Sequence, residues 1–464
     1  MCKALLDRYR CPAEFIKTSL AAPLSGESRY FRCGGDVLCY GRSCMPTPAS
    51  SADDRLPDLL DEVRTDQPDV QLPFDLTELV DNLTHERYAA KSPERRDGIA
   101  ASPLLRKVYY IARPFLTVPL RVPIQRMYFR DWDRIAFPAW LVDVTVEKLL
   151  ETVLRLCMKA RGIDSVPFIW FWPDGASSAS ILTHDVETAR GGRFCPRLMD
   201  INESFGLRSA FQIVPERRYP VAPAFLQEIR GRGHEINVHD LNHDGNLFHD
   251  RSLFLSRVKA INEYGRVWGA KGFRSAVLYR NLDWYDALEF EYDMSVPNVG
   301  RLESQRGGCC TAFPYFIGGI LELPLTTIQD YSLFHILRQH RIDLWKEQAG
   351  LVMEQSGLLS FITHPDYLIE NRAQDTYRAL LAFLAELESE RKMWMALPNE
   401  VNVWWRQRSK MNLVPDGNGW RIEGPGKERA QLAYARLDGA RLIYTREAFG
   451  ASTGPASSNA AGFP

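Results

Sequence analysis

The stretch ILTHDVET, residues 181–188, sets an apolar run directly before three ionisable side chains, His184, Asp185 and Glu187. The apolar run is typical of a buried strand. A charge buried without a partner is costly or shifts its pKa until it is neutral, so three such groups do not fit the centre of a strand. The stretch therefore predicts a strand whose carboxyl end carries functional side chains.

Strand-like and helix-like segments alternate around this stretch. The strand-like segments are FIWFW, SILTHD, SAFQIV, HEINVHD, WGAKGFRS, ILELPLT and LLSFITHP; the helix-like segments include CPRLMDINESFG, APAFLQEIRGRG, SLFLSRVKAINEYG, NLDWYDALEFEY and TYRALLAFLAELESER. Such alternation favours parallel strands joined by right-handed crossovers, and six or more units indicate a barrel. We therefore expect an α/β fold with a (β/α) barrel over residues 165–400.

Composition divides the rest of the chain. Residues 1–44 contain short strand-like runs bounded by glycines and predict a small β-rich segment. Residues 45–103 are rich in Pro, Ser and Asp, which indicates a partly disordered linker. Short strands with Gly-rich turns predict a β appendage over 401–449, and residues 450–464 are expected to form a disordered tail.

Residues 104–164 precede the barrel and are expected to comprise a wrapping segment and a helix. The part up to residue 130 mixes Arg and Lys with aromatic and aliphatic residues, a pattern that also suits a membrane surface. Three prolines interrupt any amphipathic helix there, which favours wrapping around the barrel over peripheral membrane contact.

The overall composition excludes several classes of protein. A chain of 464 residues suggests two or three domains, and its net charge of −1 gives no indication of nucleic-acid binding. No apolar run approaches the roughly 20 residues that span a bilayer. The N-terminus lacks the apolar core of a secretory signal, and nine cysteines form no metal-like pair, so we expect reduced thiols and a cytoplasmic location.

Polar side chains also end later strands of the predicted barrel. VHDLNH supplies His239 and His243, FRS supplies Arg274, and THP supplies His364. Catalytic groups of a barrel gather at the carboxyl ends of its strands, so we expect these side chains to meet those of ILTHDVET. Along an extended strand Asp185 shares a face with Glu187 and not with His184.

A metal site follows from these residue types. His239 and His243 are four apart, so a helical turn would put both imidazoles on one side, and Glu187 completes a set of two His and one carboxylate. That set suits catalytic zinc and also non-haem iron. HDLNH further resembles the HExxH helix of zinc proteases, and the His-Asp pairs resemble phosphohydrolases, but both need helices where strands are predicted.

The ordered set THDVE, GHEINVHDLNH, GFRSAVL and LLSFITHPDYL resembles the polysaccharide deacetylase family, also called the NodB homology domain or carbohydrate esterase family four. The similarity covers about residues 181–398. The resemblance implies a distorted (β/α) barrel of the polysaccharide deacetylase type and metal-dependent hydrolysis of an N-acetyl or related amide. Zinc is the expected metal, with cobalt or another transition metal as alternatives.

The resemblance also implies roles for individual residues: Asp185 as catalytic base, Glu187, His239 and His243 as metal ligands, Arg274 as the residue that orients the base, and His364 as catalytic acid. This chain departs from the family in two places. Glu187 stands where Asp is usual, and Ala276 and Val277 replace the usual proline and aromatic residue. A backbone N–H at that loop could still bind an oxyanion. Either Asp330 or Glu322 could orient His364, although Asp330 could equally be a helix N-cap.

We therefore expect an amide hydrolase that acts on an N-acetylated glycan or glycan precursor in glycan or exopolysaccharide metabolism. A cytoplasmic location would favour a precursor over finished wall polymer. Two alternatives stay open: hydrolysis of a non-sugar carbon–nitrogen bond on the same barrel, and a metal-containing glycan-binding module without activity.

Overall fold

The computed structural model describes residues 2–45, 49–65, 69–89, 123, 125–127, 129–390, 392–439 and 441–447. The helices in this part of the chain are α1 (Lys3–Tyr9), α2 (Leu76–Thr84), α3 (Thr145–Arg161), α4 (Ala189–Glu203), α5 (Pro223–Gly231), α6 (Arg251–Trp268), α7 (Asp343–Glu354), α8 (Asn371–Ser389) and α9 (Pro398–Arg408). The strands are β1 (Thr18–Leu20), β2 (Arg29–Arg32), β3 (Leu38–Gly41), β4 (Val70–Leu72), β5 (Ser165–Ile169), β6 (Ser178–Val186), β7 (Ala210–Ile213), β8 (Glu235–His239), β9 (Gly272–Arg274), β10 (Tyr292–Asp293), β11 (Tyr315–Ile317), β12 (Ile320–Glu322), β13 (Leu358–Thr363), β14 (Met393–Ala396), β15 (Asn412–Asp416), β16 (Gly419–Glu423), β17 (Leu432–Asp438) and β18 (Arg441–Arg446).

A curled nine-stranded sheet forms the centre of the molecule. Its order is β11, β12, β10, β9, β8, β7, β6, β13, and β14 pairs with β6 beside this path. Every pairing in it is parallel except that between β11 and β12. The predicted α/β architecture is confirmed, but a complete barrel is not, because among the described residues the backbone ladder leaves β11 and β13 as its two ends.

Threonine side chains bridge the open seam of this sheet. Thr326 Oγ1 donates to the Leu358 carbonyl and accepts from the Ser360 N–H, both at 2.9 Å. Thr327 Oγ1 donates to the Ser360 carbonyl at 2.7 Å. All four residues are buried, so these hydroxyls satisfy backbone groups of β13 that water does not reach. The segment after β12 thus contacts β13 through side chains instead of a ladder.

The C-terminal β appendage is not separate from the rest of the chain. Strand β5 is predicted to be a barrel strand, but it pairs antiparallel with β17 and belongs to a three-stranded sheet with β18. An apolar run predicts a strand but does not identify its partner. Most of helix α9 also lies within the predicted appendage, and its Trp404 Nε1 donates to the carbonyl of Phe171 at 2.8 Å.

The predicted linker over residues 45–103 is folded in its described part. It contains β4, which pairs with β1, and α2, whose Leu79 and Leu83 are fully buried. The average composition of the segment conceals these apolar positions, so the linker prediction is wrong there. The aromatic and basic stretch 104–122 and the predicted tail 450–464 lie outside the described residues.

One predicted helix is replaced by shorter elements. The segment NLDWYDALEFEY, residues 281–292, forms a 3₁₀ helix at Leu282–Ala287 and then leads into β10.

The nine cysteines are free, eight of them buried, as expected for reduced thiols. None of the helices that the structure describes has the length and apolar character needed to cross a membrane.

Candidate active site

Strand β6 separates the side chains of its last residues onto two faces, as its alternation predicts. His184 lies on the helix-covered face, where its ring nitrogens are 2.7 Å from Thr363 Oγ1 and 3.1 Å from Asn202 Nδ2. Burial lowers the pKa of His184 to about 3, so this histidine is neutral and structural. Asp185 faces the other side, toward Arg274 on β9.

Asp185 is held by a fully buried arginine. Arg274 Nη1 donates to Asp185 Oδ1 at 2.6 Å, and its Nε donates to the Met294 carbonyl at 3.0 Å. Burial alone raises the pKa of Asp185, but the charge of Arg274 outweighs it and holds this pKa below its usual value. Asp185 is therefore an ionised, oriented carboxylate at neutral pH.

His239 ends β8 with one ring nitrogen directed at the centre of the site. Its Nδ1 donates to the carbonyl of Arg274 at 3.1 Å, so Nε2 carries the lone pair and lies 3.6 Å from Asp185 Oδ2. Burial lowers the pKa of His239 to about 4, which keeps the ring neutral as a metal ligand must be.

His243 approaches His239 through a loop and not through the expected helical turn. The chain leaves β8 at His239, and both Asp240 (φ 57°) and His243 (φ 54°) have left-handed backbone conformations. The two imidazole rings nevertheless meet edge to face with their centroids 4.8 Å apart. The proximity of the two rings was predicted correctly, but the helical geometry was wrong.

Glu187, His239 and His243 converge as a candidate metal centre. One ligand atom from each lies within 4.8 Å of the other two. His243 Nε2 is 2.9 Å from Glu187 Oε1 without hydrogen-bond geometry, and the Nε2 atoms of both histidines are buried without a hydrogen-bond partner. Burial raises the pKa of Glu187, but the neighbouring His243 outweighs it and holds this pKa well below its usual value. An anionic carboxylate beside two unpaired ring nitrogens fits a divalent cation.

His364 faces the same centre from the end of β13. Its Nδ1 donates to Asp330 Oδ1 and its backbone N–H to Asp330 Oδ2, both at 2.7 Å, while its Nε2 lies 3.5 Å from Glu187 Oε1. Burial lowers the pKa of His364, but the charge of Asp330 outweighs it and raises this pKa well above its usual value. His364 is thus a protonated group beside the candidate metal centre.

The structure decides between the two carboxylates considered as partners of His364. Asp330 makes the contact, and its second oxygen binds the same residue's backbone. Glu322 lies instead opposite Asp293 in the parallel register of β10 and β12, and its Oε1 accepts from the Val296 N–H at 2.9 Å. The sequence predicts Asp330 and Glu322 as alternative partners of His364, and the fold shows that Asp330 is the partner.

Thr183 is a site residue that sequence reasoning missed. Its Oγ1 accepts from Arg274 Nη1 at 2.8 Å and donates to the Phe361 carbonyl at 2.7 Å. The hydroxyl thereby fixes the guanidinium that holds Asp185. Its one sequence signal is its position two residues before Asp185, which puts both side chains on the same face of β6.

No protein-family profile matches this chain, and no curated protein matches it. Solved structures do match. A protein from Mycobacterium smegmatis classed as a polysaccharide deacetylase is 19% identical, with a TM-score of 0.41 over 51% of this chain and 93% of its own. A protein from Pseudomonas aeruginosa PAO1, also classed as a polysaccharide deacetylase, is 14% identical, with a TM-score of 0.42 over 51% of this chain and 93% of its own.

A third solved structure is a family 4 acetyl xylan esterase from Clostridium thermocellum in complex with a cobalt ion. It is 14% identical, with a TM-score of 0.33 over 49% of this chain and 91% of its own. The motifs indicate a similarity to polysaccharide deacetylases. The solved structures that match this chain include such proteins, and each match covers about half of the chain.

Proposed function

We propose that this protein is a metal-dependent hydrolase that removes an acetyl or similar acyl group from an amide nitrogen. One observation carries the proposal: a buried carboxylate held by Arg274 and a protonated His364 held by Asp330 flank the same cluster of Glu187, His239 and His243. Amide hydrolysis needs a base for the attacking water and an acid for the departing nitrogen, and this arrangement supplies both.

Glu187, His239 and His243 would hold the cation. A bound divalent cation supplies Lewis acidity, which lowers the pKa of water and polarises a carbonyl. Asp185 accepts the proton of the water that attacks the acyl carbon, because Arg274 keeps this carboxylate ionised and aimed. His364 gives its Nε2 proton to the amide nitrogen, because an amine does not leave as an anion. Asp330 accepts from Nδ1 and so leaves Nε2 facing the site.

The substrate we propose is an N-acetylated sugar of glycan or exopolysaccharide metabolism. A cytoplasmic location, itself a prediction, favours a glycan precursor. The loop that follows Arg274 carries Ala276 and Val277 in place of the residues usual in polysaccharide deacetylases, which keeps a non-sugar amide as the second candidate. A glycan-binding module without activity has no need of the paired base and acid, so we place it third.

The test joins metal analysis to an assay of acetate release. Wild type and His239→Ala are purified, their zinc and cobalt contents are measured, and both are assayed on N-acetylated oligosaccharides and on simple non-sugar acetamides with either metal. We expect about one metal ion per wild-type chain, loss of that ion in the variant, and metal-dependent acetate release by wild type alone. Metal without acetate from any substrate would contradict the hydrolase, and absence of metal would contradict the site.

A further inference from the structure

The loop that follows Arg274 has a strained backbone. Val277 (φ 59°) and Leu278 (φ 54°) are consecutive non-glycine residues in the left-handed region. A positive φ is a genuine outlier for a β-branched residue such as valine, and such strain persists only where surrounding contacts impose it. Strained loops of this kind concentrate at active sites, so the contacts that impose this conformation bear on function.

This loop lies between the two halves of the candidate site. It begins directly after Arg274, which holds the base. The buried side chain of Leu278 packs with Leu325 and Ile362 in a small apolar cluster, and Ile362 stands two residues before His364 on β13. The loop therefore extends from the strand that orients Asp185 to the strand that carries the acid.

A buried arginine fixes the end of the loop. Arg280 Nη1 donates to the Leu278 carbonyl at 2.7 Å, and Nε donates to Glu86 Oε2 at 2.6 Å, while Nη2 donates to the other oxygen of Glu86. The side chain of Gln305 brackets the same residue, accepting from the Arg280 N–H at 3.0 Å and donating to its carbonyl at 3.2 Å. Arg280 thus connects the strained carbonyl to a two-point ion pair.

The anionic partner comes from outside the central sheet. Glu86 follows helix α2, 194 positions before Arg280, and its side chain is 7% exposed. It approaches Gly307 so closely that a Cβ there would lie 2.5 Å from Glu86 Oε1. Tyr88, two residues later, donates to the carbonyl of Gly308 at 2.7 Å. The N-terminal segment is thereby attached to the loops above the sheet at two adjacent points.

We propose that Glu86 and Arg280 are positioning residues for the hydrolytic reaction: the N-terminal segment, through this ion pair, holds residues 276–278, which directly follow Arg274 and Ser275 at the end of β9, in their strained conformation. The inference rests on the proposed function and extends it, because it makes a segment outside the barrel part of a competent site. Glu86 and Arg280 act through the loop, and the residues that take part in proton transfer are those already described.

The experiment compares Glu86→Gln and Gln305→Ala with wild type and with a matched control, Glu78→Gln. Glu78 lies in the same N-terminal segment and forms its ion pair with Arg42 instead of Arg280. Three properties are measured: amide hydrogen exchange of residues 275–281, bound metal per chain, and kcat and KM for acetate release. In both test variants we expect exchange of the loop to rise about tenfold with metal content unchanged, and kcat to fall at least about tenfold with KM changed less.

Gln305→Ala leaves the buried ion pair intact and removes only the hydrogen bonds to the backbone of Arg280. This variant therefore tests whether Arg280 positions the loop if Glu86→Gln does not fold. Unchanged loop exchange in the folded test variants, or equal effects of Glu78→Gln, would overturn the proposal, as would faster exchange with wild-type kcat. A wild type that binds metal but releases no acetate would instead refute the proposed function. The exchange data would still show whether the ion pair orders the loop, so the two failures are distinguishable.

Discussion

At the scale of single residues, the site is built from three pairs of unlike groups, of which the first two are buried. Arg274 holds Asp185, Asp330 holds His364, and Glu187 lies beside His243. Removing one member of such a pair leaves the other buried without compensation, which is costly. Isosteric substitutions that keep hydrogen-bonding atoms in place therefore separate chemistry from folding better than truncation to alanine.

Asp185→Asn is the direct test of the base. Asparagine has the size of aspartate but does not accept a proton, so we expect kcat to fall by a factor of about 10² to 10⁴ while the metal, held by other residues, is retained. Steady-state kinetics and metal analysis of the same preparation measure both. Near wild-type turnover would show that a different group takes the proton from water.

Asp330→Asn tests whether this carboxylate acts through His364. The variant loses the charge that keeps His364 protonated and its Nδ1–H oriented, so we expect kcat to fall in the same direction as in His364→Ala. Residues that act as a unit are not additive, and the double variant should be little worse than His364→Ala alone. Additive losses would indicate that the two side chains act independently.

At the scale of elements, the sheet depends on side chains where its ladder ends. Strand β13 directs the N–H and carbonyl of Ser360 and the carbonyl of Leu358 at the seam, where Thr326 and Thr327 replace a neighbouring strand. Because His364 follows β13 directly, the geometry of the seam also sets the position of the acid.

Thr326→Val should expose this dependence. Valine has nearly the shape of threonine but no hydroxyl, so the buried Ser360 N–H loses its acceptor, at a cost of about 1–3 kcal/mol in the free energy of unfolding. The matched control is Thr445→Val on the exposed edge strand β18, where we expect a change within about 0.5 kcal/mol. Chemical denaturation measures the free energy of unfolding of both variants. Equal losses would show that the buried Thr326 hydroxyl contributes no more to stability than the exposed Thr445 hydroxyl.

At the scale of the whole molecule, helix α3 is attached to the segment that precedes β11 through a buried carboxyl group. Glu147 Oε1 accepts from Thr311 Oγ1 and, at 3.2 Å, from the Ala312 N–H, while its Oε2 is buried without a partner. Burial raises the pKa of Glu147 to about 7. A protonated carboxyl group is therefore the stable form in the folded protein at mildly acidic pH.

This raised pKa predicts a pH dependence of stability. Between its ordinary value of 4.5 and about 7, the folded state keeps a proton that the unfolded state releases, so the free energy of unfolding falls as pH rises. The slope from this residue reaches at most about 1.4 kcal/mol per pH unit and disappears above pH 7. Glu147→Gln removes this slope, so the stability of the variant relative to wild type should rise from pH 5 to pH 7 in thermal unfolding and level off above it. Parallel profiles would show that Glu147 ionises normally.

The sequence by itself determined which residues meet at the candidate site. Asp185, Glu187, His239, Arg274 and His364 were all identified at strand ends, and the structure brings them together. The reason is that hydrophobic periodicity reports burial and local backbone, and in a parallel sheet the carboxyl ends of strands share one edge. Strand alternation alone places Thr183 and Asp185, two residues apart, on one face of β6, without any tertiary information.

The tertiary structure alone decided which groups become partners. It routed His243 through a left-handed loop, chose Asp330 over Glu322, paired β5 with β17, placed two threonines across the seam, and joined Glu86 to Arg280. Each of these contacts joins residues whose local sequence is compatible with several partners. A strand pattern contains no information about its neighbour, and a buried carboxylate none about which distant cation will compensate it, because both depend on how the whole chain packs.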